Sequence, residues 1–487
     1  MTNSNHKVVV IGAGISGLVC THRLKSLGLD AVLIEKAQRP GGVIRSDRIG
    51  DYLVERGPNS SRGTREMMDL VDELGIAEEM VEGDPKAPSF IYFGGALHRV
   101  PMGPAGLIMT DVLSLGSKLR LLTEPFRRVR KSLEEESVDS FFARRLGPQL
   151  ARRVVAPFIS GIYAGDAGSL SIQAAFPGLA ALERDHGGII KGAFKELTKA
   201  RKSRAEAQES IAPASGQTGG GTRAVKRKRP PRLASFRKGM SFLPERLAAS
   251  LGESFIKGSG DIQLSRSGGD SPGGPGVSAG KFVVNYSPGQ RPESIRCDHI
   301  VIATPAWAAA ELIRPLCGEL AGLLDEVPYP PLAVVCLAYD ERAVRAPVNG
   351  FGFLAVPGEG LSILGCLFSS SLFPDRAPDG KVLFTTFIGG ARNPRVSTLG
   401  DSELFAGVHE DLRKVLRITG DPELVAITRY ERSIPQYNIG HAARIQRIEE
   451  ILGQTPGLSI VGNYLHGVST GDCIKEADRV ARRISQG

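Results

Sequence analysis

Lys7-Val8-Val9-Val10-Ile11-Gly12-Ala13-Gly14-Ile15-Ser16-Gly17 decides the fold of this chain. Val8 to Ile11 are all apolar and β-branched, the mark of a parallel strand buried on both faces; a half-exposed strand would alternate. The strand runs into a glycine turn and then a helical stretch from Leu18 to Leu27. Gly12 permits the tight turn, Gly14 lets the backbone approach a pyrophosphate, and Gly17 lets helix and strand pack closely. Ile15 and Ser16 complete the turn, where the helix N-terminus meets phosphate with partial positive charge. A second apolar run, Ala31 to Ile34, ends in Glu35, 18 residues beyond Gly17, followed by Lys36. A carboxylate there accepts hydrogen bonds from ribose hydroxyls and repels the extra phosphate of NADP. The glycines alone are a weak signal; strand, helix and acid at their proper places make it a strong one.

Working outward, Arg39-Pro40-Gly41-Gly42-Val43-Ile44-Arg45-Ser46 resembles the R-x-G-G-x-x-x-S element of FAD oxidases of the amine-oxidase superfamily. The resemblance implies FAD rather than NAD, held non-covalently, with Gly41 and Gly42 against the dinucleotide and Arg39 helping to hold phosphate. Near the other end, Leu458 to Asn463, with Gly467-Val468 and Asp472-Cys473, looks like the closing FAD motif of that superfamily. Gly462, Asn463 and Val468 are its contacts. Val301-Ile302-Ala303-Thr304-Pro305 resembles its internal strand, ending at Thr304, and Ile262 is a further implied contact. Two elements some 400 residues apart then build one site, so the chain ends must fold back together.

A chain of 487 residues is too long for one core, and 41% apolar residues suit a globular enzyme. The net charge of +9 is concentrated: positions 199–232 hold ten basic and two acidic side chains, leaving about +1 for the remainder. The body is near neutral, so no nucleic-acid partner is expected. The six cysteines stand singly with no C-x-x-C pair, and no metal site is expected. They fit a reducing compartment. The strand begins at Lys7, leaving no room for a signal or transit peptide, and a cytoplasmic location with peripheral membrane attachment is expected.

Residues 203–231 read as a flexible basic linker and 258–280 as an elongated Gly/Ser/Pro turn. Positions 107–197 show helical periodicity. Within them Leu113, Leu115, Leu119, Leu122 and Phe126 alternate with Lys118, Arg120, Arg127 and Arg128. Such a helix either lies on a membrane surface or packs into a core with a charged outer side. The expected fold is α/β: a Rossmann-like FAD domain, a mixed-sheet substrate domain and a helical membrane-binding domain. The expected division is 1–88, 233–309 and 441–487 for FAD, 89–202 for the helices, 203–232 for the linker and 310–440 for substrate.

Further blocks narrow the resemblance. Glu55-Arg56-Gly57-Pro58-Asn59-Ser60, Gly161-Ile162-Tyr163-Ala164-Gly165-Asp166, Ser369 to Pro374, and Ile388-Gly389-Gly390-Ala391-Arg392 closely resemble the protoporphyrinogen IX oxidase family. That family takes six electrons from a porphyrinogen as three hydrides delivered to FAD, and oxygen reoxidises the flavin to give hydrogen peroxide. The resemblance implies, by position, that Leu354 and Phe373 flank the macrocycle, that the backbone of Gly161 helps proton removal, and that Gly57, Pro58, Asn59 and Ser60 lie by the flavin. Membrane attachment and a homodimer are compatible with the resemblance. Many relatives carry arginine for a substrate propionate where this chain has Ser89; Arg62, Lys86 or Arg99 could replace it. Packing alone could explain Leu354 and Phe373. His98, His186 and His441 lie in no legible catalytic set. Rival readings are an amine oxidase, a carotenoid-type desaturase, a non-catalytic flavoprotein adaptor and a coproporphyrinogen III oxidase.

Overall fold

The computed structural model describes residues 4–5, 8–101, 103–130, 134–209, 233–267 and 281–486. Its first core is a five-stranded sheet of Phe255–Ile256, Ala31–Ile34, Val8–Ile11, His299–Ile302 and Leu458–Ile460, in that order. All four pairings are parallel. Ile11, Ile302 and Ile460 lie side by side, so strands from the start, middle and end of the chain finish at one edge. Residues on both faces of Val8–Ile11 and Ala31–Ile34 are buried, which is why these strands read as unbroken apolar runs. The helix Ile15–Ser26 packs against the carboxyl-terminal helix Thr470–Gln486 through Leu18, Val19, Ile474, Ala477 and Val480.

A seven-stranded mixed sheet forms the second layer, in the order Glu423–Tyr430, Leu332–Asp340, Lys381–Gly389, Ile363–Phe368, Gly352–Ala355, Ser89–Phe93 and Ala96–Arg99. Residues paired across neighbouring strands share a face. Phe90, Tyr92, Phe353, Cys366 and Phe368 therefore point together, onto the helix Asp401–Leu416. Ser89, Gly352, Leu354 and Leu367 point the other way.

The third part is helical and has a core of its own, including Val138, Phe141, Ile159, Tyr163 and Leu170. At its centre Arg145, fully buried, forms an ion pair with the equally buried Glu124. Glu124 also accepts hydrogen bonds from the backbone amides of Ile189 and Ile190.

The chain divides differently from the expectation in four places. Ser89–Phe93 and Ala96–Arg99 belong to the seven-stranded sheet, not to the helical part begun at 89; Gly94 and Gly95, both at positive φ, close them into a hairpin. The boundary set at 309/310 cuts the helix Ala306–Ile313, whose Ala309, Ala310 and Ile313 pack under the five-stranded sheet with Leu320 and Leu324. The 258–280 turn begins with a strand, Ser259–Arg266, bulged between Gly260 and Gln263, and 268–280 lie outside the described residues. The 203–232 linker begins inside the helix Ile189–Glu209, and 210–232 lie outside the described residues.

The basic amphipathic segment resolves into the helix Leu115–Leu122 and a 3-10 turn at Glu124–Phe126. Leu113 and Leu121 turn inward, while Leu115, Leu119, Leu122 and Phe126 are 61% to 88% exposed. That apolar stripe is therefore open rather than core-packed. Arg120 and Arg127 donate to the carbonyls of Ala143 and Arg144. Among the described residues no helix is long and apolar enough to cross a membrane.

Candidate active site

The parallel strands present their carboxyl ends at one edge, where ligands bind in open α/β sheets. Gly12 sits there at φ +103°, and its Cα is so near the Ala303 carbonyl that a side chain would strike it. Gly17 packs on the Gly12 carbonyl without room for a Cβ. Gly14, in contrast, opens onto empty space, as a turn that must admit a phosphate requires. Ile15 and Ser16 are buried at the start of the helix.

The second glycine element folds directly onto the first. The Gly41 amide donates to the Ala13 carbonyl at 2.8 Å, and a Cβ on Gly42 would lie 3.3 Å from the Gly14 Cα. Arg39 wraps this turn, donating to the carbonyl of Gly42 at 2.8 Å. Arg39, Arg45, Ser46 and Ser241 line a cleft of about 320 Å³. Glu35 reaches back to the glycine turn, where its carboxylate accepts from the Ala13 amide at 2.6 Å and from the Ala37 amide at 2.7 Å. Lys36 beside it is exposed. The loop of Gly57, Pro58, Asn59 and Ser60 lies against the same element, with Gly57 on the Val43 carbonyl and Asn59 buried.

At the neighbouring strand tip the Thr304 hydroxyl is buried without a hydrogen-bond partner. Next to it Val461 continues the sheet, its amide donating to the Ile302 carbonyl at 2.9 Å, and Gly462 and Asn463 turn away from the tip. An unpartnered hydroxyl, an open Gly14 and interlocked glycine turns are what a bound dinucleotide would complete, so these residues fit FAD. The strand of Ile262 begins beside Glu35, with the Ser259 amide on the Glu35 carbonyl, and Ile262 packs on the face of the five-stranded sheet that the helix Ala306–Ile313 covers. Val468 contacts the helical core.

The substrate residues fall on the sheet face that looks away from the Asp401–Leu416 helix. Gly161 lies in the last turn of the helix Ala156–Tyr163, its Cα pressed on Leu354 Cδ2. Ser89 pairs with Gly352, two residues from Leu354 on the neighbouring strand. Phe373, buried, packs with Leu367 of the same face. Of the candidate replacements for the arginine, Arg99 pairs with Phe90 and belongs to the opposite face.

Several participants carry no sequence signal. Tyr437 donates its hydroxyl to the Asn463 carbonyl at 2.6 Å and accepts from the Gly467 amide at 2.8 Å, fixing the closing turn. Its ring stacks on His441, which burial holds down at about 4 and hence neutral near pH 7. Glu55, buried, accepts from the Ser46 hydroxyl at 2.5 Å and the Met240 amide at 3.0 Å. It faces the buried Arg376 at 3.6 Å, whose guanidinium stands over the Phe373 ring at 5.5 Å. Burial pushes the Glu55 carboxyl up to about 7 and the Arg376 guanidinium down. A chain of contacts thus runs from the second glycine element to the substrate face. His98 and His186 face Asp111 and Glu196 on the outside of the molecule. No cluster suited to a metal ion exists among the described residues.

Comparison with known proteins agrees with this geometry. Residues 15–485 match the family described as flavin containing amine oxidoreductase. The chain belongs to this family. It is a flavin-dependent oxidase whose cofactor is FAD. A chloroplastic protoporphyrinogen oxidase of Oryza sativa subsp. japonica is 34% identical over 98% of this chain and 88% of its own length. A coproporphyrinogen III oxidase of Bacillus subtilis is 28% identical over 98% and 97%. A crystal structure from Exiguobacterium sp. 255-15 superposes with a TM-score of 0.76 at 24% identity, covering both chains completely, which places the fold.

Proposed function

We propose that this enzyme oxidises protoporphyrinogen IX to protoporphyrin IX, with oxygen as final acceptor. Removing six electrons in two-electron steps consumes three oxygen molecules and yields three of hydrogen peroxide, and bound FAD supplies the hydride acceptor. The chain's own work is placement. The observation that carries the reading is Gly161 pressed on Leu354, on the one sheet face that also holds Ser89 and Leu367. This apolar shelf, continued by Phe373, suits a large flat macrocycle and keeps water from it. Gly161 is in the final helical turn, where backbone carbonyls are not all taken up by the helix, and we propose that its backbone helps proton removal. The names of these curated relatives support the substrate, with higher identity to the protoporphyrinogen oxidase of Oryza sativa subsp. japonica than to the coproporphyrinogen III oxidase of Bacillus subtilis. Burial pushes the Cys473 thiol, next to Ser16 at the closing motif, up to about 12 and leaves it unreactive, which supports non-covalent FAD.

We also propose that the stripe of Leu115, Leu119, Leu122 and Phe126 rests on a membrane surface, where an apolar substrate would partition. The direct test of the reaction is porphyrin fluorescence generated in air from both porphyrinogens, with peroxide counted. Three peroxides per porphyrin and a preference for protoporphyrinogen are expected. No turnover, or a preference for coproporphyrinogen, overturns the reading.

A further inference from the structure

The segment after the edge strand Glu423–Tyr430 belongs to neither large sheet, yet it ties three parts of the chain together. Its first anchor is the approach to the strand Leu332–Asp340. The Ser433 amide and hydroxyl donate to the Pro330 carbonyl at 3.0 and 2.6 Å, and the Gln436 amide donates to the Pro328 carbonyl at 2.9 Å. Its second anchor is the helical part. The Ser171 amide donates to the Tyr437 carbonyl at 2.8 Å, and the Ile439 amide to the Ser169 carbonyl at 3.0 Å. Its third anchor is the closing FAD motif, where the Tyr437 hydroxyl bridges the Asn463 carbonyl and the Gly467 amide.

Gln436 and Tyr437 also meet the Gly161–Asp166 block directly. The Gln436 side-chain amide donates to the Tyr163 carbonyl at 2.7 Å, satisfying the end of the helix that carries Gly161. The same nitrogen donates to the Ile434 carbonyl at 2.9 Å. The Gln436 oxygen lies against Gly165, where a Cβ would come within 2.5 Å of it. The Tyr437 ring meets the Tyr163 ring edge-on, with centroids 6.0 Å apart. Gln436, Tyr437 and Tyr163 are all buried. Burial raises both phenols, so each keeps its proton at neutral pH and Tyr437 remains a donor. Val468 of the closing motif packs on the same helical core as these rings. Two neighbouring side chains therefore join the helix end two residues beyond Gly161 to the turn at Asn463.

We infer that Gln436 and Tyr437 are positioning residues that hold the Gly161 backbone in register with the closing turn of the FAD site. Gln436 acts through the helix end, and Tyr437 acts through Asn463 and Gly467. The physical reason is the steep dependence of the chemical step on placement, since a shift of about 1 Å in a reacting group can cost about a hundredfold in rate. A hydroxyl that donates to one loop atom and accepts from another fixes a turn in a way that apolar packing alone does not. The inference rests on the tetrapyrrole reading for the part Gly161 plays, and on the FAD assignment alone for the part Tyr437 plays.

The test compares the full wild-type chain with Tyr437→Phe, Gln436→Leu and the double variant. Tyr437→Phe keeps the ring against Tyr163 and removes only the bridge. It should weaken FAD binding, read by flavin fluorescence on titrating the apoprotein, about tenfold, the scale of a lost hydrogen bond that leaves its partners unpaired. Gln436→Leu leaves the bridge in place and should leave FAD affinity unchanged. In the FAD-loaded chains both single variants should slow anaerobic bleaching of the flavin by saturating protoporphyrinogen about tenfold, with the half-saturating concentration and the reoxidation by air unchanged. A merely structural role would lower the urea midpoint without that split. Because both side chains act along one path, the double variant should be little slower than either single one. Wild-type FAD affinity in Tyr437→Phe, undiminished bleaching in either variant, or losses that simply multiply in the double variant overturn the inference. Each single variant decides its own end of the link should the other fail to fold. A wild-type flavin that neither porphyrinogen bleaches overturns the tetrapyrrole reading instead, and the FAD titration still decides the Tyr437 end.

Discussion

At the scale of the residue, function here rests on atoms that are missing as much as on those present. A methyl group at Gly161 would meet Leu354 Cδ2, the movable end of a side chain, so the fold should survive Gly161→Ala. The shelf would not be left unchanged. We expect kcat/KM for protoporphyrinogen to fall at least tenfold, about 1.4 kcal/mol of transition-state stabilisation, and Leu354→Ala in the same chain to recover part of it. Steady-state porphyrin fluorescence measures both. Glu55 gives a pH dependence whose sign is fixed. Burial raises its carboxyl from 4.5 to about 7, so the fold favours the neutral form. The stability this provides is complete below about pH 4.5 and is lost as pH rises through 7. Glu55→Gln should therefore flatten the fall in urea midpoint between pH 5 and 7.5; an unchanged slope would assign the effect to other groups. The glycines were legible in the sequence because backbone shape ties each to one residue type. Tyr437 and Arg376 were not. A tyrosine hydroxyl that reaches carbonyl and amide 26 and 30 residues away looks like any other tyrosine until the chain is folded.

At the scale of the element, the helical part depends on a charge buried with its partner. Arg145 and Glu124 are both fully buried, and Arg145→Met leaves the carboxylate with only neutral amide donors. Breaking such a pair costs about 3–5 kcal/mol. Loss of the helical core at a lower denaturant concentration than the sheets, read by limited proteolysis, is the expected result. Helical periodicity announced this part between 107 and 197, and apolar runs announced Val8–Ile11, Ala31–Ile34 and His299–Ile302 of the five-stranded sheet, but not the short edge strand Phe255–Ile256. The hairpin of Ser89–Phe93 and Ala96–Arg99 was missed because short strands next to a helical run give little periodicity of their own. The helix Ala306–Ile313 was divided because alanine, its main residue, marks neither end of a domain.

At the scale of the molecule, three distant segments converge on one sheet edge, while a separate apolar stripe faces outward. Each exposed leucine or phenylalanine buried in lipid contributes roughly 1.5–3 kcal/mol. Leu119→Glu with Phe126→Glu should lower partition onto anionic phospholipid vesicles at least tenfold in a flotation assay; equal flotation of wild type and variant would remove the membrane role. The convergence itself was readable, since two glycine motifs at opposite ends make sense only as one site.

Flavin content tests the central claim most directly. The purified chain should carry about one FAD, released intact on acid precipitation, and Gly14→Glu should abolish uptake by placing a carboxylate where the phosphates must lie. Wild type that remains colourless when offered FAD, or a Gly14→Glu chain that binds it as well as wild type, would contradict a cofactor held between these glycine turns.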